Sequence, residues 1–157
     1  MSERSVEHAT LVLERTYDAS PARVFAAWAS PEALMRWGLP GEGWQLAFDK
    51  FEFRVGGGEI CRLGPPGGDT YVSETLYLDI VPDARIVFAS TMTSGGKRLF
   101  AGLNTVELHP AGGGCRLVMT EQAAFLDGND IPDNHEAGWT KMLDNLGDAL
   151  RRDRAAA

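Results

Sequence analysis

One amphipathic segment near the C-terminus most constrains the fold. Over residues 134–152, Trp139, Met142, Leu143, Leu146, Ala149 and Leu150 recur at helical steps of three and four, giving a helix one apolar face. That face needs a broad apolar partner. Residues 10–125 read almost entirely as strands and turns, so the expected partner is the concave face of an antiparallel sheet. The chain of 157 residues is one domain by length, expected over residues 9–152, with residues 1–8 and 153–157 as disordered tails.

The strand pattern starts at residues 9–17, where Leu11 and Leu13 oppose Thr10, Val12, Glu14 and Thr16. Ser20-Pro21 and Ser30-Pro31 then repeat a helix-start signal, a capping serine before a proline at the first helical position. Two short helices follow. Alternation returns over residues 44–55, with a bulge expected near Asp49-Lys50 because Phe48 and Phe51 differ in parity. Gly56-Gly57-Gly58 suits a turn with positive φ or a close backbone approach. Further strands are read at residues 59–63 and 71–80, with Val72, Glu74, Leu76, Leu78 and Ile80 inward in the second. Ile86, Phe88 and Met92 face inward on the next, followed by Phe100, Asn104, Val106 and Leu108, then by Leu117, Met119, Glu121 and Ala123. The fold class is α+β: a curved antiparallel sheet of about seven strands around a long C-terminal helix, with no crossover long enough for a parallel sheet.

The formal net charge of −7 disfavours nucleic acid and anionic membranes as partners. Residues 1–8 are polar and contain no apolar run suited to a signal peptide, and no later run approaches spanning length, so the expectation is a cytoplasmic protein without membrane insertion. Cys61 and Cys115 lack metal or redox spacing and read as reduced core thiols. His8, His109 and His135 are too scattered to form a metal site, and no nucleotide or hydrolase fingerprint occurs, so neither metal nor cofactor is expected.

Glu74, Asn104 and Glu121 share the inward parity of their strands, and His135 opens the long helix. Buried groups of this kind are hydrogen-bonded, shifted towards neutrality or open to a wet cavity, and as a set they point to a lined pocket. Trp37, Phe53, Phe88, Phe100 and Trp139, with Met119 and Leu143, are the candidate walls, and core packing is the competing account of the same aromatic residues. Gly138 and Gly147 interrupt the helix, as they would where packing or a ligand needs room. Acid–base chemistry is open to Glu74, Glu121 and His135, although no local motif fixes their geometry.

The segment from Ala19-Ser20-Pro21 through Phe25 and Trp28, then Ser30-Pro31-Glu32 and Arg36-Trp37, resembles the opening of bacterial proteins similar to the activator of heat-shock-protein ATPase. Phe53-Arg54-Val55-Gly56-Gly57 resembles that family's arginine-and-double-glycine strand end, and Gly138-Trp139 with Leu143, Asp144 and Leu146 its closing helix. The resemblance implies the helix-grip fold of steroid-transfer-related lipid-binding domains and polyketide cyclases, with a hydrophobic cavity between sheet and last helix. Glu59 departs from the family pattern, as does the stretch 73–76, which lacks the usual glycine; both changes would reshape the pocket. The function expected is binding of a small hydrophobic or amphipathic ligand, as carrier or sensor. A cyclase- or hydrolase-type enzyme is the alternative, followed by a co-chaperone of the heat-shock ATPase. Homodimerisation through a strand edge is a further option.

Overall fold

The computed structural model describes residues 4–156, with side chains described to residue 153. Seven antiparallel strands form one sheet in the order β1-β7-β6-β5-β4-β3-β2. They are β1 (Val6–Tyr17), β2 (Gln45–Phe51), β3 (Gly58–Gly64), β4 (Tyr71–Val81), β5 (Arg85–Ser94), β6 (Lys97–Ala111) and β7 (Gly114–Leu126). From β2 to β7 each strand pairs with the next in sequence, and β1 closes the series against β7. Helices α1 (Pro21–Trp28) and α2 (Pro31–Trp37) follow β1, and α3 (Pro132–Ala156) ends the chain. Strand β1 and helix α3 thus extend beyond residues 9–152, with Val6 and Glu7 already paired to β7. Residues 1–3 and 157 lie outside the described residues.

Both short helices begin as their sequences require. Ser20 Oγ accepts from the Arg23 N–H at 3.2 Å and Ser30 Oγ from the Ala33 N–H at 3.3 Å, each satisfying a donor at the helix start. The bulge in β2 falls between Phe48 and Lys50. At the triple glycine, Gly56 has φ 82°, and a Cβ on Gly58 would lie 2.1 Å from the Thr75 carbonyl oxygen of β4. Only glycine lets these backbones meet.

Strand β4 reverses the expected parity. Ser73, Thr75 and Tyr77 face the concave side, while Leu76 and Leu78 are 47% and 45% exposed and Glu74 lies on the outer face. The reason is a register shift between Tyr77 and Asp79, which puts Ile80 back against the core. Apolar Ile80 therefore belongs inside, but the residues before the shift follow the opposite alternation.

The core divides the length of α3 into two parts. Its C-terminal half presses Leu143, Leu146, Ala149 and Leu150 into a cluster with Val106, Leu117 and Met119 of the sheet. Tyr17 and Arg23 tie that half down: the Tyr17 hydroxyl donates to the Leu143 carbonyl and the Arg23 guanidinium to the Leu150 carbonyl, both at 2.7 Å. Gly147 makes room for the Tyr17 ring, which would meet a Cβ at 3.3 Å. Over the N-terminal half, by contrast, the sheet and helix do not close on one another.

Candidate functional site: a cavity under the last helix

Between the sheet and the first turns of α3 lies a cavity of about 740 Å³. Its floor follows one row across the sheet: Tyr77 pairs with Phe88, Phe88 with Asn104, and Asn104 with Glu121, so all four side chains project from the concave face. Its roof is α3, from Asn134 to Met142, and α1 and α2 close one side with Trp28 and Trp37. The three tryptophans form a cluster centred on Trp28. Trp28 meets Trp37 edge to face at 4.7 Å and Trp139 face to face at 6.1 Å, between ring centroids.

The polar side of the cavity is organised by His135. Its Nδ1 lies 2.7 Å from Glu121 Oε1 and its Nε2 2.8 Å from Asp130 Oδ2, with the imidazole ring edge-on to Phe100 and Phe125. Burial disfavours the imidazolium, but hydrogen bonds to Asp130 and Glu121 outweigh it and raise the His135 pKa to about 9. At neutral pH both nitrogens therefore carry protons, and both donate. Asp130 is opposed by burial too, yet hydrogen bonds from His135, Asn134 and the Ile131 N–H hold its carboxyl below the usual value. The second Glu121 oxygen, Oε2, accepts from Trp139 Nε1 at 3.3 Å. Loop, helix and sheet are thus joined at one charged knot.

This knot suits holding better than proton transfer. An acid or base needs a nitrogen or oxygen free to meet the reacting group, and here both nitrogens of His135 and both oxygens of Glu121 are engaged.

A second polar cluster stands on β3 and β4. The Tyr77 hydroxyl donates to Glu59 Oε2 at 3.0 Å. Burial raises the Glu59 pKa, and hydrogen bonds from Tyr77 and Thr75 only partly offset it. The buried side-chain polar atoms left without a hydrogen-bond partner among the described residues are Asn104 Oδ1 and Trp28 Nε1, and both residues line the cavity. Asn104 is 1% exposed.

The family model described as "Activator of Hsp90 ATPase homolog 1-like protein" matches residues 18–151. The chain belongs to this family. Activator-like proteins of this kind fall within the steroid-transfer-related (START/Bet v 1-like) superfamily, whose helix-grip architecture is the one described above. The chain is similar to the Mll3558 protein from Rhizobium loti, at 45% identity over 91% of this chain and 97% of that one, with a TM-score of 0.83. It is also similar to a putative uncharacterized protein from Rhizobium leguminosarum, at 40% identity over 96% and 99%, with a TM-score of 0.87. An AHSA1-like protein from Aeromonas hydrophila, 17% identical with a TM-score of 0.72 over 92% and 94%, shares the fold. The comparison with curated proteins returned no match.

Within this activator-like domain, the residues singled out from sequence separate into three groups. Trp37, Phe53, Phe88 and Phe100 line the cavity, as do Asn104, Glu121, His135 and Trp139. Met119 and Leu143 do not line it; both are fully buried in the cluster beside it, because β7 and α3 have already closed there. Glu74 is on the wrong face of β4 for any role in the cavity, the consequence of the parity reversal. Sequence reasoning missed Asp130, Asn134, Tyr77 and Trp28 as lining residues and read Glu59 only as a departure from the family pattern. For Asp130 the available signal was its position five residues before His135, at the foot of a helix.

Among the described residues no helix is long and apolar enough to cross a membrane.

Proposed function

We propose that this protein binds a small hydrophobic or amphipathic molecule in the cavity beneath α3, as a carrier or sensor. The observation that carries this reading is the volume itself. A space of about 740 Å³ inside the fold is within the range of small-molecule sites, roughly 300–1,000 Å³. Family membership supports the same reading at the level of architecture, since a helix lying across a curved sheet creates such a space wherever the sheet is broader than the apolar stripe covering it.

The lining explains what kind of molecule is suited. Trp28, Trp37, Phe53, Phe88, Phe100 and Trp139 offer flat apolar surface, while Asn104 and the Glu59–Tyr77 pair offer oriented polar contacts. Such a mixture favours a compact ring system over a long flexible chain, because rigid ligands lose less conformational entropy when bound.

Native mass spectrometry of the purified protein, followed by a thermal-shift screen with lipids, flavonoids and polyketide-like aromatics, tests the proposal. A co-purified mass, or a melting temperature that rises with ligand concentration, is expected. The absence of both a retained mass and any shift across the screen would overturn it.

A further inference from the structure

We infer that the cavity selects an uncharged aromatic ligand whose hydroxyl group donates a hydrogen bond to Asn104 Oδ1, and that it discriminates against carboxylates. The inference rests on the binding role proposed above and specifies the chemistry of the occupant.

Asn104 Oδ1 is an acceptor without a partner on a side chain 1% exposed, in the middle of the cavity floor. An unmatched acceptor at that depth is costly, and a ligand that brings a donor recovers the loss. The neighbours of Asn104 leave the task to a ligand. On one side its cross-strand partner is Phe88, whose side chain has no polar atom; on the other it is Glu121, whose two oxygens accept from His135 and Trp139 and have no proton to give.

Charge narrows the class further. Glu59, Asp69, Glu121 and Asp130 line the cavity, against Lys97 and His135. Both N–H groups of His135 are spent on carboxylates, while Lys97 and Asp69 are exposed at the rim. A ligand carboxylate would enter a space whose interior cation is already neutralised, and it would bring two more acceptors to an atom that needs a donor. An ammonium group would meet the acceptor but not the second unpartnered atom, Trp28 Nε1, which is a donor. A hydroxylated aromatic has both functions, a proton to give and oxygen lone pairs to receive.

The test uses the full chain and the neutral fluorescent probe N-phenyl-1-naphthylamine, competed by 2-naphthol, 2-methoxynaphthalene and 2-naphthoate at pH 7. The three competitors share one ring system and differ in the polar group. Displacement by 2-naphthol is expected at a concentration at least about tenfold lower than by the methyl ether, and 2-naphthoate is expected to be weaker still. In Asn104→Leu the probe should still bind while naphthol and its ether become equal; in Glu74→Gln, on the outer face, the preference should persist. Equal displacement by all three, preference for naphthoate, or an Asn104→Leu protein that keeps the naphthol preference would each overturn the inference while leaving the cavity as a binding site. If Asn104→Leu does not fold, the ligand series on the unaltered protein decides alone. Failure of the probe and all three naphthalenes to bind would instead count against the binding role itself, and the inference would fall with it.

Discussion

Trp139 Nε1 donates to Glu121 Oε2 at 3.3 Å, so the residue that starts the gripping face of α3 is fastened to the polar floor of the sheet and not only to its apolar part. The two halves of α3 therefore depend on different forces. One half is held by close packing and the other by a charged knot around a cavity.

Packing loss should be larger in the closed half. Leu143→Ala removes a fully buried side chain from the main cluster and is expected to cost about 2–5 kcal/mol. Trp139 is only partly buried, with one side open to the cavity, so Trp139→Ala should cost less, about 1–3 kcal/mol. Urea unfolding midpoints of the two variants give the comparison; a greater loss in Trp139→Ala would place the main packing contact at the other end of the helix.

Stability should fall on the alkaline side. The folded His135 pKa is raised to about 9 from 6.5, so its charged hydrogen bonds contribute fully below about pH 6.5 and are lost as pH rises through 9. That contribution is on the order of 3 kcal/mol. In the acid, Asp130 works in the opposite sense: its lowered pKa gives stability above its ordinary value of 3.8, which disappears as pH falls through the folded value. A His135→Gln protein should show a flatter profile between pH 6.5 and 9 in denaturant titrations, and an unchanged slope there would rule out the knot as its source.

Glu59 carries the reverse linkage. Burial raises its pKa, so the folded protein holds that proton more tightly and ionisation above 4.5 costs stability. Glu59→Gln keeps an acceptor for the Tyr77 hydroxyl and removes the buried charge. It is expected to leave stability at pH 7 unchanged or raise it by up to about 1 kcal/mol, with the gain shrinking at pH 4 in the same unfolding assay.

Two glycines separate crowding from backbone preference. At Gly58 a Cβ would stand 2.1 Å from the Thr75 carbonyl oxygen, whereas at Gly113, with φ 86°, it would meet nothing within 4 Å. Gly58→Ala should cost about 2–3 kcal/mol or more through forced separation of β3 and β4; Gly113→Ala should cost about 1 kcal/mol through its left-handed backbone alone. Thermal unfolding of the pair distinguishes the two causes.

Much of the fold was legible because its signals were local. Ser20-Pro21 and Ser30-Pro31 marked both short helices, and the parity break at Phe48 and Phe51 marked the bulge. On β6 and β7 the alternation placed Asn104 and Glu121 inward, where they stand. Strand β4 defeated the same reasoning. There the inward residues Ser73, Thr75 and Tyr77 line a cavity that accepts polar groups, while Leu76 and Leu78 face outward, so equating apolar with inside inverted the strand. Asp130 and Asn134 were harder to read for another reason: loop and helix-start positions carry no periodicity, and the hydrogen bonds joining Asp130 to Asn134 and His135 depend on the particular turn that leads into α3.

The pairing of β1 with β7 also sets an order of events. Val6 opposes Leu126 and Tyr17 opposes Cys115, so the first strand finds its neighbour only after roughly a hundred further residues have been added. The roof of the cavity is made by the segment after that. The floor row from Tyr77 to Glu121 becomes part of an enclosed space only when α3 docks across it, so a ligand has nothing to enter before that contact forms. Capture is a property of the folded domain, and a bound molecule can stabilise the product of folding without guiding its early steps.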